Sequence, residues 1–131
     1  MAEVVARQLA SDIIEPASAG LSPLGQIAPL TEQVLLDNGY SIEGLNSKPL
    51  TRQAIADSNI LVNISGQPLE DALRVLLLDA DAAPTFDLET WDIEDPYGAH
   101  PSIYQRILVE LESRVLLLAS RLRLRQRAFN S

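Results

Sequence analysis

The chain has 131 residues, 10 basic against 18 acidic side chains, one histidine and no cysteine. Such a length makes a single domain, here 1–131, with an ordinary core. The missing cysteine excludes a disulfide framework, a thiolate metal site and a cysteine nucleophile.

Met1 to Ser11 holds good helix formers and no breaker, and shows no N-cap. Ile13 to Ser18 reads as a short strand, kept at an edge or an end by Pro16, which lacks a donor. Ala19-Gly20 closes it, and Leu21 to Pro29 is a loop punctuated by Pro23, Gly25 and Pro29. Leu30 to Asn38 is a second helix, with Thr31 as its N-cap and Asn38-Gly39 as its left-handed stop.

Tyr40 to Pro49 is irregular, and Thr51 to Asp57 is a short helix. Asn59 to Ile64 is apolar on successive residues, the pattern of a strand buried on both faces. Pro68 opens a helix that runs to about Leu78. Asp79 to Pro84 is a loop, Thr85 to Trp91 a last strand, and Asp92 to Gly98 a turn-rich loop. From Pro101 onward, Ile103, Ile107, Leu111, Val115, Leu118 and Leu122 recur every three or four residues, the mark of one long amphipathic helix.

Short apolar strands alternating with helices imply an α/β class with a parallel sheet covered on both faces. The order α-β-α-α-β-α-β-α is unusual, since a doubly wound domain normally begins with a strand. No run approaches the roughly 18 apolar residues that span a bilayer. Glu3 and Arg7 break up the N-terminus before any leader-like stretch, so a soluble, cytoplasmic protein is expected. Without a leader, Asn63-Ile64-Ser65 is a chance match to the glycosylation sequon.

Charge divides the chain. Residues 1–112 hold all 18 acids and five bases, whereas the remainder holds Arg114, Arg121, Arg123, Arg125 and Arg127 and no acid. The acidic body repels nucleic acid and membrane phosphate, so neither is expected as a partner. The arginine tail could attract such phosphates, but it also sits where the C-terminal end of a helix favours cations.

Few residues suggest chemistry by themselves. His100 reads as a solvated loop histidine, with no partner set for a triad or a multi-histidine metal site. Gly20 to Gly25 matches neither a Walker loop nor a dinucleotide fingerprint. Asp79 and Asp81 read as solvated acids rather than a cation site, so no metal and no cofactor is expected. In Asp95-Pro96-Tyr97-Gly98, proline restricts the aspartate's backbone and the tyrosine ring is placed to exclude water. Those are conditions for a general acid, though Asp-Pro is also common turn chemistry.

Several segments together resemble the low-molecular-weight protein tyrosine phosphatase family. Met1-Ala2-Glu3 resembles the Pro-x-Ala-Glu start of the helix after the family's Cys-x5-Arg-Ser loop, and Ser18-Ala19-Gly20-Leu21 its Ser-Ala-Gly turn. Ser47-Lys48-Pro49-Leu50-Thr51 resembles the basic-x-Leu/Ile-Thr start of its third helix, and Ile60-Leu61-Val62 its buried third strand. Trp91-Asp92-Ile93-Glu94-Asp95-Pro96-Tyr97-Gly98 is the most specific match, joining the Asp-Pro loop to its flanking aromatics.

The resemblance implies a flavodoxin-like parallel sheet, with three strands in this chain and the family's first strand and phosphate loop absent. It also implies roles. Asp95 matches the acid and later base that serves a phosphocysteine intermediate. Tyr97 matches the aromatic wall beside the substrate ring, with Gly98 where some members carry a second tyrosine. Ser18 matches a serine that braces the phosphate loop, and Leu24 lies in the opposite rim, Leu21 to Gln26.

Departures bear on activity. The nucleophilic cysteine and the phosphate-loop arginine have no counterpart, and Ser58 stands where the family usually has aspartate. Nothing here attacks phosphorus, so the chain as given is expected to be inactive. In the family sheet the absent strand lies between those resembling Ile13–Ser18 and Asn59–Ile64, and its loss exposes edges open to self-association. A misplaced start codon or a truncated gene is the expected cause. The complete form would act on phosphotyrosine proteins; arsenate reductases share the fold but need several cysteines. The alternatives are a non-enzymatic relic, interacting through Tyr97, the acidic face and the arginine tail, or an unrelated α/β domain.

Overall fold

The computed structural model describes residues 1–20, 29–44, 48–78, 86–94 and 99–130, with side chains to 128. Its elements are α1 (Ala2–Leu9), α2 (Pro29–Asp37), α3 (Arg52–Ala56), β1 (Ile60–Asn63), α4 (Glu70–Leu76), β2 (Asp87–Thr90) and α5 (Pro101–Asn130).

The 30-residue α5 organises the core. Tyr104, Ile107, Leu108, Leu111, Val115, Leu118 and Ala119 form its buried stripe, spaced by threes and fours as one helix face requires. Against it lie Val4, Val5, Ala6 and Ala10 from α1 and its end, and Val34 and Leu35 from α2. Each fully buried Leu or Val side chain contributes about 1.5–3 kcal/mol through removal from water.

The ends of α2 follow from local chemistry. Pro29 begins the helix, where its fixed φ and missing N–H are harmless. Thr31 therefore lies inside the first turn and is not the N-cap. At the other end Gly39 takes φ +83°, the left-handed region that favours glycine. Gly39 N–H then donates to Leu36 O at 3.1 Å and Tyr40 N–H to Leu35 O at 2.9 Å, the paired bonds of a Schellman stop. Thr51 caps α3, its hydroxyl oxygen accepting from Ala54 N–H at 3.1 Å.

β1 and β2 pair in parallel, Ile60 opposite Asp87 through Asn63 opposite Thr90. The connection passes through α4, as a parallel pair requires. Ile60, Val62, Trp91 and Ile93 turn this small sheet toward the α1–α5 core, and the architecture is α/β. β1 is half-buried rather than buried on both faces; only Asn63 at its end is inaccessible.

Two strands form among the described residues, not three. Ile13 and Ile14 both donate to Ala10 O, at 3.0 and 2.8 Å, which prolongs the turn of α1 where a strand was expected. No described strand lies alongside Ile13–Ser18 to form a ladder, and Pro16 has no N–H to offer one. Only Gly20 pairs, in an isolated parallel bridge to Pro49. Gly20 N–H donates to Lys48 O at 2.7 Å and Leu50 N–H to Gly20 O at 2.9 Å, so the missing donor of Pro49 is never called upon. Among the described residues, no helix is long and apolar enough to cross a membrane.

Candidate active site

In open parallel sheets, ligand sites lie beyond the carboxyl ends of the strands. Here those ends are knotted together. Trp91 N–H, one residue past β2, donates to Asn63 O at the end of β1 (2.9 Å). The buried Asn63 side chain then organises the turn that follows: Nδ2 donates to Gln67 O at 2.7 Å, and Oδ1 accepts from Ser65 N–H at 3.0 Å and Ser65 Oγ at 2.6 Å. Both ends of its amide are thus hydrogen-bonded, and Asn63 is 7% exposed. Gly66, at φ +76°, completes the turn.

The segment after β2 is anchored on both sides of residues 95–98. On the near side Trp91 is buried, and Glu94 pairs with Arg106 of α5 at 2.6 Å. On the far side His100 stands at the N-cap of α5, just before Pro101. Its Nδ1 accepts from Ser102 N–H at 3.1 Å and lies 2.9 Å from Ser102 Oγ. His100 is exposed, as expected, but it also caps the helix. Asp95, Tyr97, Gly98 and Leu24 lie outside the described residues, as do Asp79 and Asp81.

Ser18 is described, and its partner is specific. Its Oγ donates to Glu3 Oε1 at 2.8 Å, while Glu3 Oε2 pairs with Arg7 at 2.7 Å. Glu3 is 6% exposed, so both oxygens of a buried carboxylate are occupied. The Gly20–Pro49 bridge then carries the Ser18-Ala19-Gly20 turn to Lys48-Pro49-Leu50-Thr51. Two of the sequence segments singled out above, bridged through Gly20 and Pro49, are adjacent in space.

Glu3 and Asn63 are structural keystones that sequence reasoning had not assigned a role. For Glu3 the available signal is a carboxylate beside Val4-Val5-Ala6, on the helix that must pack. For Asn63 it is an amide closing an apolar strand just before Ser-Gly. Among the described residues two shallow clefts are notable, the first beside the end of β2 and the second along α1. One, of about 350 Å³, is lined by Glu89, Thr90, Trp91, Arg114, Leu117, Leu118 and Arg121; the other, of about 310 Å³, lies by Val4, Arg7, Gln8, Ser41 and Glu43.

A parallel α/β sheet flanked by helices, with tethered segments at its carboxyl end, is the flavodoxin-like class. The chain belongs to the low molecular weight phosphotyrosine protein phosphatase family, whose family model matches residues 1–128. Solved structures agree on the fold. The arginine phosphatase YwlE, in a mutant with a phosphorylated active-site serine, superposes with TM-score 0.75 at 23% identity, covering 93% of this chain and 86% of its own. Wzb from Vibrio vulnificus, in complex with benzylphosphonate, gives 0.74 at 18%, covering 92% and 88%. An arsenate reductase in its phosphate-binding state gives 0.73 at 22%, covering 92% and 86%. No curated protein matches the sequence.

Proposed function

We propose that these 131 residues form a phosphotyrosine phosphatase-like domain that holds the acid half of the family's chemistry and lacks its nucleophile. The observation that carries this reading is the absence of any cysteine from a chain that the family model matches almost end to end. Asp95 is the general acid that would protonate a leaving phenolate and then activate water. By the family resemblance Tyr97 would wall the substrate ring and Leu24 would belong to the facing rim, while the bond from Ser18 to Glu3 stiffens the turn assigned to bracing the phosphate loop. Without a thiolate no phosphoenzyme forms, because a carboxylic acid donates a proton but leaves phosphorus unattacked. The domain is a cytoplasmic pseudoenzyme in this form, needs no metal or cofactor, and self-associates through unpaired strand backbone.

Hydrolysis of para-nitrophenyl phosphate tests this. The expected rate is that of buffer alone, unchanged in Asp95→Ala. Turnover that disappears in Asp95→Ala would overturn the assignment of inactivity.

The DNA upstream of Met1 separates a phosphatase from a relic. In-frame codons for a strand followed by Cys-x5-Arg-Ser would make these residues part of a complete phosphatase, whose substrates are phosphotyrosine proteins. Their absence supports the second reading, an interaction module of the same fold.

A further inference from the structure

Three arginines on α5 reach acids on β2 and in the turn after α1: Arg121 to Glu89 at 2.6 Å, Arg123 to Asp12 at 2.9 and 2.7 Å, and Arg125 to Asp87 at 3.9 Å. Asp87 and Glu89 are two apart on β2 and project from one face; Arg121 and Arg125 are four apart on α5 and share a side. The helix and the strand therefore meet in register.

Glu89 differs from the other two acids in having a second commitment. Its Oε2 holds Arg121, while its Oε1 accepts the indole N–H of Trp91 at 3.3 Å. Trp91 is the only tryptophan of the chain and is buried. Among the described residues it is also the last one tied to the strand pair, through Asn63.

We infer that Arg121 is a positioning residue: by fixing the Glu89 carboxylate it holds the Trp91 indole, and so fixes how residues 91–94 leave the end of β2. A buried indole N–H requires an acceptor. The acceptor here belongs to a flexible side chain that is 26% exposed, with a route to water. At 3.3 Å the indole bond is too long to immobilise the carboxylate by itself; the 2.6 Å bond from Arg121 does so. Released from Arg121, Glu89 turns toward solvent, the indole loses its acceptor, and Trp91 loosens in its seat. This anchorage of Trp91 holds whatever chemistry Asp95 performs.

The single tryptophan provides the readout. In Arg121→Ala the emission of Trp91 shifts to the red and acrylamide quenching rises about two-fold, as expected for local loosening. Arg121→Lys recovers much of the change. Arg123→Ala, which cuts an ion pair elsewhere on the same helix, leaves both signals at their starting values. In the unsubstituted protein about 1 M salt, with a screening length of roughly 3 Å, moves emission in the same direction; Arg121→Ala responds no further. Unchanged emission in Arg121→Ala, or an equal shift in Arg123→Ala, overturns the inference. Should Arg121→Ala not fold, a flat salt titration of the unsubstituted protein does so too.

Discussion

The Tyr40 hydroxyl donates to Glu112 Oε2 at 2.6 Å, joining residues 72 positions apart. It fastens the end of α2 to the middle of α5, beside the reciprocal amide pair of Asn38 and Gln105 at 2.8 and 3.1 Å. Burial, reinforced by the Glu112 carboxylate, holds the Tyr40 phenol well above its ordinary value. The folded state thus keeps a proton that the unfolded chain releases near pH 10. Stability from this source is fully present below that pH and is lost as pH rises toward the folded value. Urea unfolding should show a decline above about pH 10 that Tyr40→Phe flattens. At neutral pH the same substitution costs about 1.5–3 kcal/mol, the range for a hydrogen bond to a charged group.

Asp12 supplies the opposite sign. The hydrogen bond from Arg123 holds its carboxyl below the ordinary range. That contribution is present above the unfolded value and disappears as pH falls through the folded one. Both groups are solvent-exposed, so the effect should be sensitive to salt. An NMR titration of the Asp12 carboxyl carbon should give a depressed midpoint that returns to the ordinary range in Arg123→Ala. A midpoint indifferent to Arg123 would remove the ion pair from the account.

Ser18 and Glu3 should behave as one unit. Ser18→Ala removes a hydrogen bond to a buried carboxylate and should cost about 1.5–3 kcal/mol in urea unfolding. In a Glu3→Gln background the cost of Ser18→Ala should fall. The coupling in a double-mutant cycle should lie at about 0.5–3 kcal/mol; a value near zero would mean that Ser18 stiffens nothing.

On α5, position within the stripe should decide the effect of a leucine. Leu108 is wholly buried, and Leu108→Ala should cost about 2–5 kcal/mol. Leu117 is 64% exposed, and Leu117→Ala should stay within about 0.5 kcal/mol. Thermal or denaturant unfolding of the two variants side by side checks the assignment of the buried face.

What could be read from the sequence was what neighbours in the chain decide. The three-and-four spacing from Ile103 to Leu122 is enforced within one helix, and Asn38-Gly39 acts on backbone groups within a few residues, whereas the N-cap was placed at Thr31 and proved to be Thr51 of the next helix. The Ile13–Ser18 strand was misjudged because strand formation depends on what lies alongside, which local pattern does not specify. The basic end of α5 was visible as a block of charge. Its acids were not identifiable as partners, because Asp12 lies 111 positions from Arg123 and Glu89 lies 32 from Arg121. The serine of the candidate site was noticed, but the carboxylate it serves became evident only once α1 was seen to fold against it.

The Asn38 amide has a consequence for the ageing of the protein. Asn-Gly is the dipeptide most prone to spontaneous deamidation, and here it closes α2. Asn38 Nδ2 donates to both Val34 O and Gln105 Oε1, at 2.7 and 2.8 Å. Conversion to aspartate would replace that donor with a negative oxygen facing two acceptors, at the helix end where negative charge is least welcome. In the folded chain Gly39 N–H, the group that must attack this amide, is held by Leu36 O, so wear at Asn38 should begin in molecules that have opened this helix end and then loosen α2 from α5 for good, while their sequence, read by codon, remains the same.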